Sequence, residues 1–285
     1  MGANRKERRA MKAGGGGPAT DWRARAAALA EAGETAKARR LLVQGLKAAP
    51  EDAHARHLLG LVEMARGRFA DAERAFARAV RAAPDNPMSL TNWGIALGAA
   101  GRGDEATAAL ERAVEAAPRF APALYNLALV RRDRGDRIAA ASLLRRAIDA
   151  EPGYARAHYE LGRLLEDGGA LEDARDAYRR ARAIDGEDVD TLYALATVEQ
   201  ALYRFAEAAE AYGEVLERAP ERAEAALNLG FCLQETGRET DAIAAYRRAL
   251  ALDRGLYPLV LKTMTTAARG SFRLDLRAMR ALLLD

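Results

Sequence analysis

The feature that most constrains this chain is the spacing of its prolines. Pro50, Pro84, Pro118, Pro152 and Pro220 fall on a grid of 34 residues, and the two empty grid points hold Gly186 and Arg254. A fixed period of that length marks a repeat architecture, in which each supersecondary unit buries its apolar face only against its neighbours. A chain built this way presents a long surface.

With each proline set at position 32, the units start at Ala19, Ala53, Pro87, Ala121, Ala155, Val189 and Ala223, and the seventh ends at Leu256. Position 8 is always small: Ala26, Gly60, Gly94, Ala128, Gly162, Ala196 and Gly230. Position 20 is always alanine, from Ala38 and Ala72 to Ala242. Helices cross closely only where neither carries bulk, so these columns predict the contact between a first and a second helix. Position 24 supplies the filler as Leu42, Phe76, Leu110, Leu144, Tyr178, Tyr212 and Tyr246. Glycine at position 15 (Gly33, Gly67, Gly101, Gly135, Gly169, Gly237) predicts the stop of the first helix, and only Tyr203 interrupts that column. The proline at position 32 is expected to keep the second helix from running on. Each unit therefore reads as a helix-turn-helix hairpin.

These columns, with alanine at position 27 (Ala79, Ala113, Ala147, Ala181, Ala249), resemble the tetratricopeptide repeat family over residues 19–256. The resemblance implies an all-α, right-handed α-solenoid of seven hairpins. Two departures are local. Position 11 reads Glu63, Arg131 and Glu199 in alternate units, which would make parts of the inner wall polar, and position 7 of the first unit is Arg25.

The ends differ from the repeats. Residues 1–18, with Arg5, Lys6, Arg8, Arg9 and Lys12 ahead of four glycines, read as a disordered tail. They lack the apolar centre of a signal peptide. That tail accounts for the charge: the whole chain is +3, residues 1–12 are +4, and the rest is about −1. Such a balance argues against nucleic-acid binding by the folded part. Residues 257–285 begin on the same grid, with Val260 and Met264 at packing positions, then depart from it with Leu276. They read as a capping pair of short helices, and Arg269, Arg273, Arg277 and Arg280 as a solvated face.

Catalytic and metal constellations are sparse. His54 and His57 stand i, i+3 with no third ligand of matching period, so they read as groove residues. Asp185, Glu187, Asp188 and Asp190 miss the calcium-loop spacing, and Asp188 reads as a helix cap. Cys232 lies in an apolar column and reads as a buried, inert thiol. No cofactor, metal or catalytic residue is expected, and the single cysteine and lack of a membrane-length apolar run fit a cytoplasmic protein.

What remains is the inner wall. The family resemblance places positions 2, 5, 6, 9, 12 and 13 of the first helices there. The candidate peptide-binding residues are His57, Tyr125, Tyr159 and Tyr193 at position 5, and Asn92, Asn126 and Asn228 at position 6. Leu61, Ile95, Leu129, Arg163 and Phe231 follow at position 9, with Met64 at position 12. Asparagine offers a donor and an acceptor to an extended backbone. The ladder partly resembles the arrays of O-GlcNAc transferases, but Glu160 and Ala194 break it. The expected function is a non-catalytic scaffold or adaptor that holds a partner's peptide segment in the concave groove. Two alternatives remain: a targeting subunit for a separate glycosyl- or sulfotransferase, and a self-associating assembly protein.

Overall fold

One left-handed residue per hairpin sets the architecture. In a computed structural model of the chain, residues 22–266, Ala281 and Leu283 are described. Gly33, Gly67, Gly101, Gly135, Gly169 and Gly237 have φ between 69° and 81°, a region open to glycine at no steric cost. Each ends a helix with paired backbone bonds, as where Gly67 N donates to Met64 O and Arg68 N to Glu63 O. Tyr203 takes the same conformation, with φ 60°, and makes the same turn without glycine.

The described residues are helical apart from these turns and the short connections between hairpins. The first helices are α1 (Trp22–Glu31), α3 (Ala53–Ala65), α5 (Pro87–Ala99), α7 (Ala121–Asp133), α9 (Ala155–Asp167), α11 (Val189–Ala201) and α13 (Ala223–Glu235). Alternating with them are α2 (Thr35–Ala48), α4 (Phe69–Ala82), α6 (Gly103–Ala116), α8 (Arg137–Ala150), α10 (Leu171–Ile184), α12 (Phe205–Arg218) and α14 (Glu239–Leu252). A 3-10 turn (Arg254–Leu256) leads into α15 (Tyr257–Thr266). Asp52, Asn86 and Asp188 cap α3, α5 and α11 by accepting from backbone N–H groups three residues on.

The second helices end at the same place with or without proline. α10 and α14 stop at Ile184 and Leu252, although Gly186 and Arg254 occupy the proline sites. The stop lies one residue earlier, at Asp185 and Asp253, whose φ values of −128° and −142° leave the helix while their N–H groups still close its last turn. Proline reinforces a boundary that this residue already makes.

The chain divides into two compact units, Met1–Leu143 and Leu144–Asp285. Within the first, α1–α2, α3–α4 and α5–α6 pack as hairpins, and α2, α4 and α6 pack on the first helix that follows. Within the second, α9–α10, α11–α12 and α13–α14 do the same. The small column closes these hairpins: a Cβ on Gly162 would lie 2.6 Å from the Tyr178 ring, and one on Gly230 2.6 Å from Tyr246. Positions 8 and 24 thus meet face to face, so Gly162 and Gly230 have no room for a side chain, and the column as a whole admits only glycine or alanine. At the end of the second unit, Val260 and Met264 of α15 are fully buried among Tyr246, Leu250 and Leu283. The basic tail, Leu276 and Arg269, Arg273, Arg277 and Arg280 lie outside the described residues.

Candidate functional site

The first helices carry the candidate wall, and position 5 is where packing and surface meet. His57 sits edge-on to Phe76 at 5.5 Å, Tyr159 is tilted on Tyr178 at 5.7 Å, and Tyr193 stands edge-on to Tyr212 at 5.7 Å. Each of these three position-5 rings leans on the position-24 ring of its own hairpin, a geometry that adds to simple burial. Tyr125, Tyr159 and Tyr193 keep part of their surface open, while His57 is only 5% exposed. His57 therefore belongs to the hairpin packing, a correction to its reading as an open groove residue.

A polar chain explains the burial of His57. Its Nδ1 lies 3.1 Å from Ser89 Oγ, and Asn92 Nδ2 donates to its Nε2 at 3.4 Å. With Nε2 accepting, the proton of the neutral ring sits on Nδ1. Burial, helped by the neighbouring His54, pulls the His57 pKa down to about 4.

The other asparagines are also engaged. Asn126 Nδ2 donates to the carbonyl of Pro122 at 2.7 Å. Asn228 Nδ2 reaches the hydroxyls of Tyr193 at 3.2 Å and Tyr212 at 3.3 Å. The amide nitrogens expected to greet a peptide thus bond within the fold, Asn92 and Asn126 each through one of their two N–H groups. Apolar surface accompanies them: Leu61 is 40% exposed, and Ile95, Leu129 and Met64 are half-buried.

In the second unit, Arg222 lies 4.2 Å above the Tyr193 ring and donates to Asp190 at 3.0 Å. Arg163 is exposed and pairs with Glu160 at 3.5 Å. Burial pushes the Tyr159 and Tyr193 hydroxyls up from their ordinary value. Phe231 meets Phe205 edge-on at 5.5 Å, and Phe205 meets Tyr203 at 6.0 Å, which joins the predicted groove residue to the non-glycine turn. The sequence signal for this aromatic set was Tyr203 itself, the exception in a glycine column.

Position 11 points elsewhere than expected. Glu63 is 2% exposed and accepts from Arg39 of α2 at 2.6 Å; Glu199, also 2% exposed, accepts from Arg179 of α10 at 2.8 Å. Arg131 likewise donates to Glu111 of α6 at 2.5 Å. These side chains cross to the second helix of the preceding hairpin, so they tie neighbours together and do not make the wall polar.

Cys232 is buried, and burial pushes its thiol up to about 12. Asp188 caps α11 as expected, and among the described residues no three His, Cys, Asp or Glu side chains are grouped to hold a metal ion. Nor is any described helix long and apolar enough to cross a membrane.

The profile of a family described as Tetratricopeptide repeat matches residues 91–136, 125–189 and 193–257, and a second profile of that description matches residues 29–89. The chain belongs to the tetratricopeptide repeat family. Its fold is that of a protein–protein interaction scaffold. A crystal structure of YrrB, described as a TPR protein with an unusual peptide-binding site, is 19% identical with a TM-score of 0.61, covering 68% of this chain and 99% of its own. The type IV pilus biogenesis factor PilW is 20% identical with a TM-score of 0.64, covering 72% and 96%. MamA is 25% identical with a TM-score of 0.51, covering 58% and 97%. Likenesses of this kind show a shared fold. No curated protein matches the chain.

Proposed function

We propose that this tetratricopeptide repeat protein is a non-catalytic, cytoplasmic scaffold of seven 34-residue units, residues 19–256, closed by a cap at 257–285, and that the first helices hold a peptide segment of a partner protein. The observation that carries the reading is the surface around position 6 in the first unit. Asn92 and Asn126 each have one N–H held within the fold, which orients the half-buried carboxamide, and Leu61, Ile95 and Leu129 leave apolar surface on α3, α5 and α7. An extended peptide needs both: acceptors for its N–H groups and contact for its side chains.

The test is capture from the protein's own cell lysate by the full chain, by Leu61→Asp/Leu129→Asp, and by a chain lacking residues 1–18. Partners held by the parent and the tail deletion but lost by the double variant support the groove. Unchanged capture by the double variant, with loss in the tail deletion, overturns it. A transferase among the groove-dependent partners would assign the targeting role, and a second copy of the chain the assembly role.

A further inference from the structure

The outer side of the first unit carries a recess that the groove reading leaves unused. It lies between α2 and α4, floored by the face of α3 that bears positions 4, 7 and 11, and encloses about 370 Å3. That face is distinct from the one bearing His57, Leu61 and Met64 at positions 5, 9 and 12, because a helix turns about 100° per residue. Five cations line the recess, Arg39, Lys47, Arg56, Arg74 and Arg78, against the carboxylates of Glu63 and Asp71. Both carboxylates are already held, Glu63 by Arg39 and Asp71 by Arg74.

Two of the cations, Lys47 and Arg78, are exposed and have no carboxylate partner among the described residues. Arg56 is drawn inward, its side chain 12% exposed and its Nε donating to the Pro50 carbonyl at 2.6 Å. Beside these charges lies apolar wall: Val43 is 36% exposed, and Leu46 and Leu59 are half-buried.

The repeat supplies its own comparison. The second unit has a recess at the same register, of about 460 Å3, but Asp149 stands where Lys47 does, Asp176 where Arg74 does and His158 where Arg56 does. The architecture makes the hollow in both, and only the first is cationic. Charge is therefore a property of the first recess and not of the fold.

We propose that this recess binds an acidic peptide segment of a partner protein, with its carboxylates on Lys47 and Arg78 and an apolar side chain against Val43 and Leu59. The volume lies within the range of roughly 300–1,000 Å3 common for ligand pockets. Apolar wall next to the cations selects a peptide over a bare anion. The two carboxylates in the lining, and a charge of about −1 outside the first twelve residues, disfavour nucleic acid.

The probe is a fluorescein-labelled peptide, Glu-Asp-Leu-Leu-Asp-Glu, titrated with the full chain and followed by anisotropy. Saturable binding is expected, weakened at least tenfold by Lys47→Glu/Arg78→Glu, to a lesser degree by Lys47→Gln/Arg78→Gln, and unchanged by Arg180→Glu, the register equivalent of Arg78 in the second recess. Replacing both leucines of the peptide by serine should weaken it as well. The proposal is overturned by an absence of saturable binding, by equal loss with Arg180→Glu, or by a serine peptide that binds as well as the parent. A uridine dodecamer whose binding the charge reversal abolishes would reassign the recess to RNA and also overturn it. None of these variants touches the groove residues, so this site and the groove stand or fall separately.

Discussion

The hydroxyl of Tyr246 donates to Gln234 Oε1 at 2.7 Å, and the same carboxamide donates through Nε2 to the carbonyl of Met264 at 3.1 Å. Gln234 and Tyr246 are fully buried, so this one side chain joins both helices of the α13–α14 hairpin to α15. The joint recurs without the third helix: Tyr178 donates to Glu166 at 2.7 Å, and Tyr212 to Gln200 at 2.9 Å. Where position 24 is tyrosine, position 12 is an acceptor.

Removing one side of the Gln234 joint should cost more than removing the other. Tyr246→Phe takes the tyrosine donor from one buried atom, Gln234 Oε1, at about 1–3 kcal/mol, and leaves Nε2 still bound to Met264. Gln234→Leu strands both the Tyr246 hydroxyl and the Met264 carbonyl, at about 1–3 kcal/mol for each buried orphan. Urea midpoints of the two variants measure the difference. A Gln234→Leu chain as stable as Tyr246→Phe would show that α15 is not held through this side chain.

Replacing Tyr203 by the glycine that the rest of its column holds is expected to stabilise the chain. A left-handed conformation costs a non-glycine residue roughly 1–2 kcal/mol, and its aromatic contact with Phe205 returns about 0.5–1.5 kcal/mol. The Tyr203 side chain is 81% exposed, which puts the contact at the low end. Tyr203→Gly should therefore raise stability by up to about 1 kcal/mol, and Gly135→Ala lower it by a similar amount. Thermal unfolding of both variants checks the pair; a destabilised Tyr203→Gly would mean that the aromatic set with Phe205 and Phe231 outweighs the strain.

The hairpins were legible because contact leaves columns. Glycine or alanine at position 8 and a large filler at position 24 are the two halves of one close approach, as Gly162 and Tyr178 show. The site was less legible, because a residue's register tells which face it starts from and not where its polar atoms end. Asn126 and Asn228 sit at the same position, yet one bonds its own helix and the other two tyrosines. The pairing of position 12 with position 24 was written in the sequence as Glu166, Gln200 and Gln234 beside three tyrosines, but it shows only when the columns are compared with each other.

Acid should weaken the first unit through His57. Its pKa falls from an ordinary 6.5 to about 4, so the unfolded chain takes up a proton that the folded chain refuses. Stability is then full above pH 6.5 and is lost as the pH drops toward 4, by about 2 kcal/mol at pH 5 from this group alone. Protonation of Nε2 also removes the acceptor of the Asn92 amide. Denaturant midpoints at pH 7 and 5 should converge in His57→Gln relative to the parent. An unchanged gap would show that other groups carry the acid sensitivity.

Glu199 invites the opposite substitution from the usual one. Its carboxylate is buried, Oε1 accepts from Arg179 at 2.8 Å, and Oε2 has no hydrogen bond, with Arg204 Nε 3.8 Å away. Four of the other units put leucine at this position, Leu29, Leu97, Leu165 and Leu233, so a leucine fits the register. Replacing a buried ion pair by apolar packing is often neutral or stabilising, whereas removing one partner leaves a buried charge at a cost of about 3–5 kcal/mol. Arg179 is about half exposed, which allows water to reach the pair and lowers that cost. Glu199→Leu should then match or exceed the parent in urea midpoint, and Arg179→Ala should fall below both. If Glu199→Leu proves the weaker of the two, the ion pair contributes more than its desolvation costs, and position 11 is held by charge in alternate units for stability.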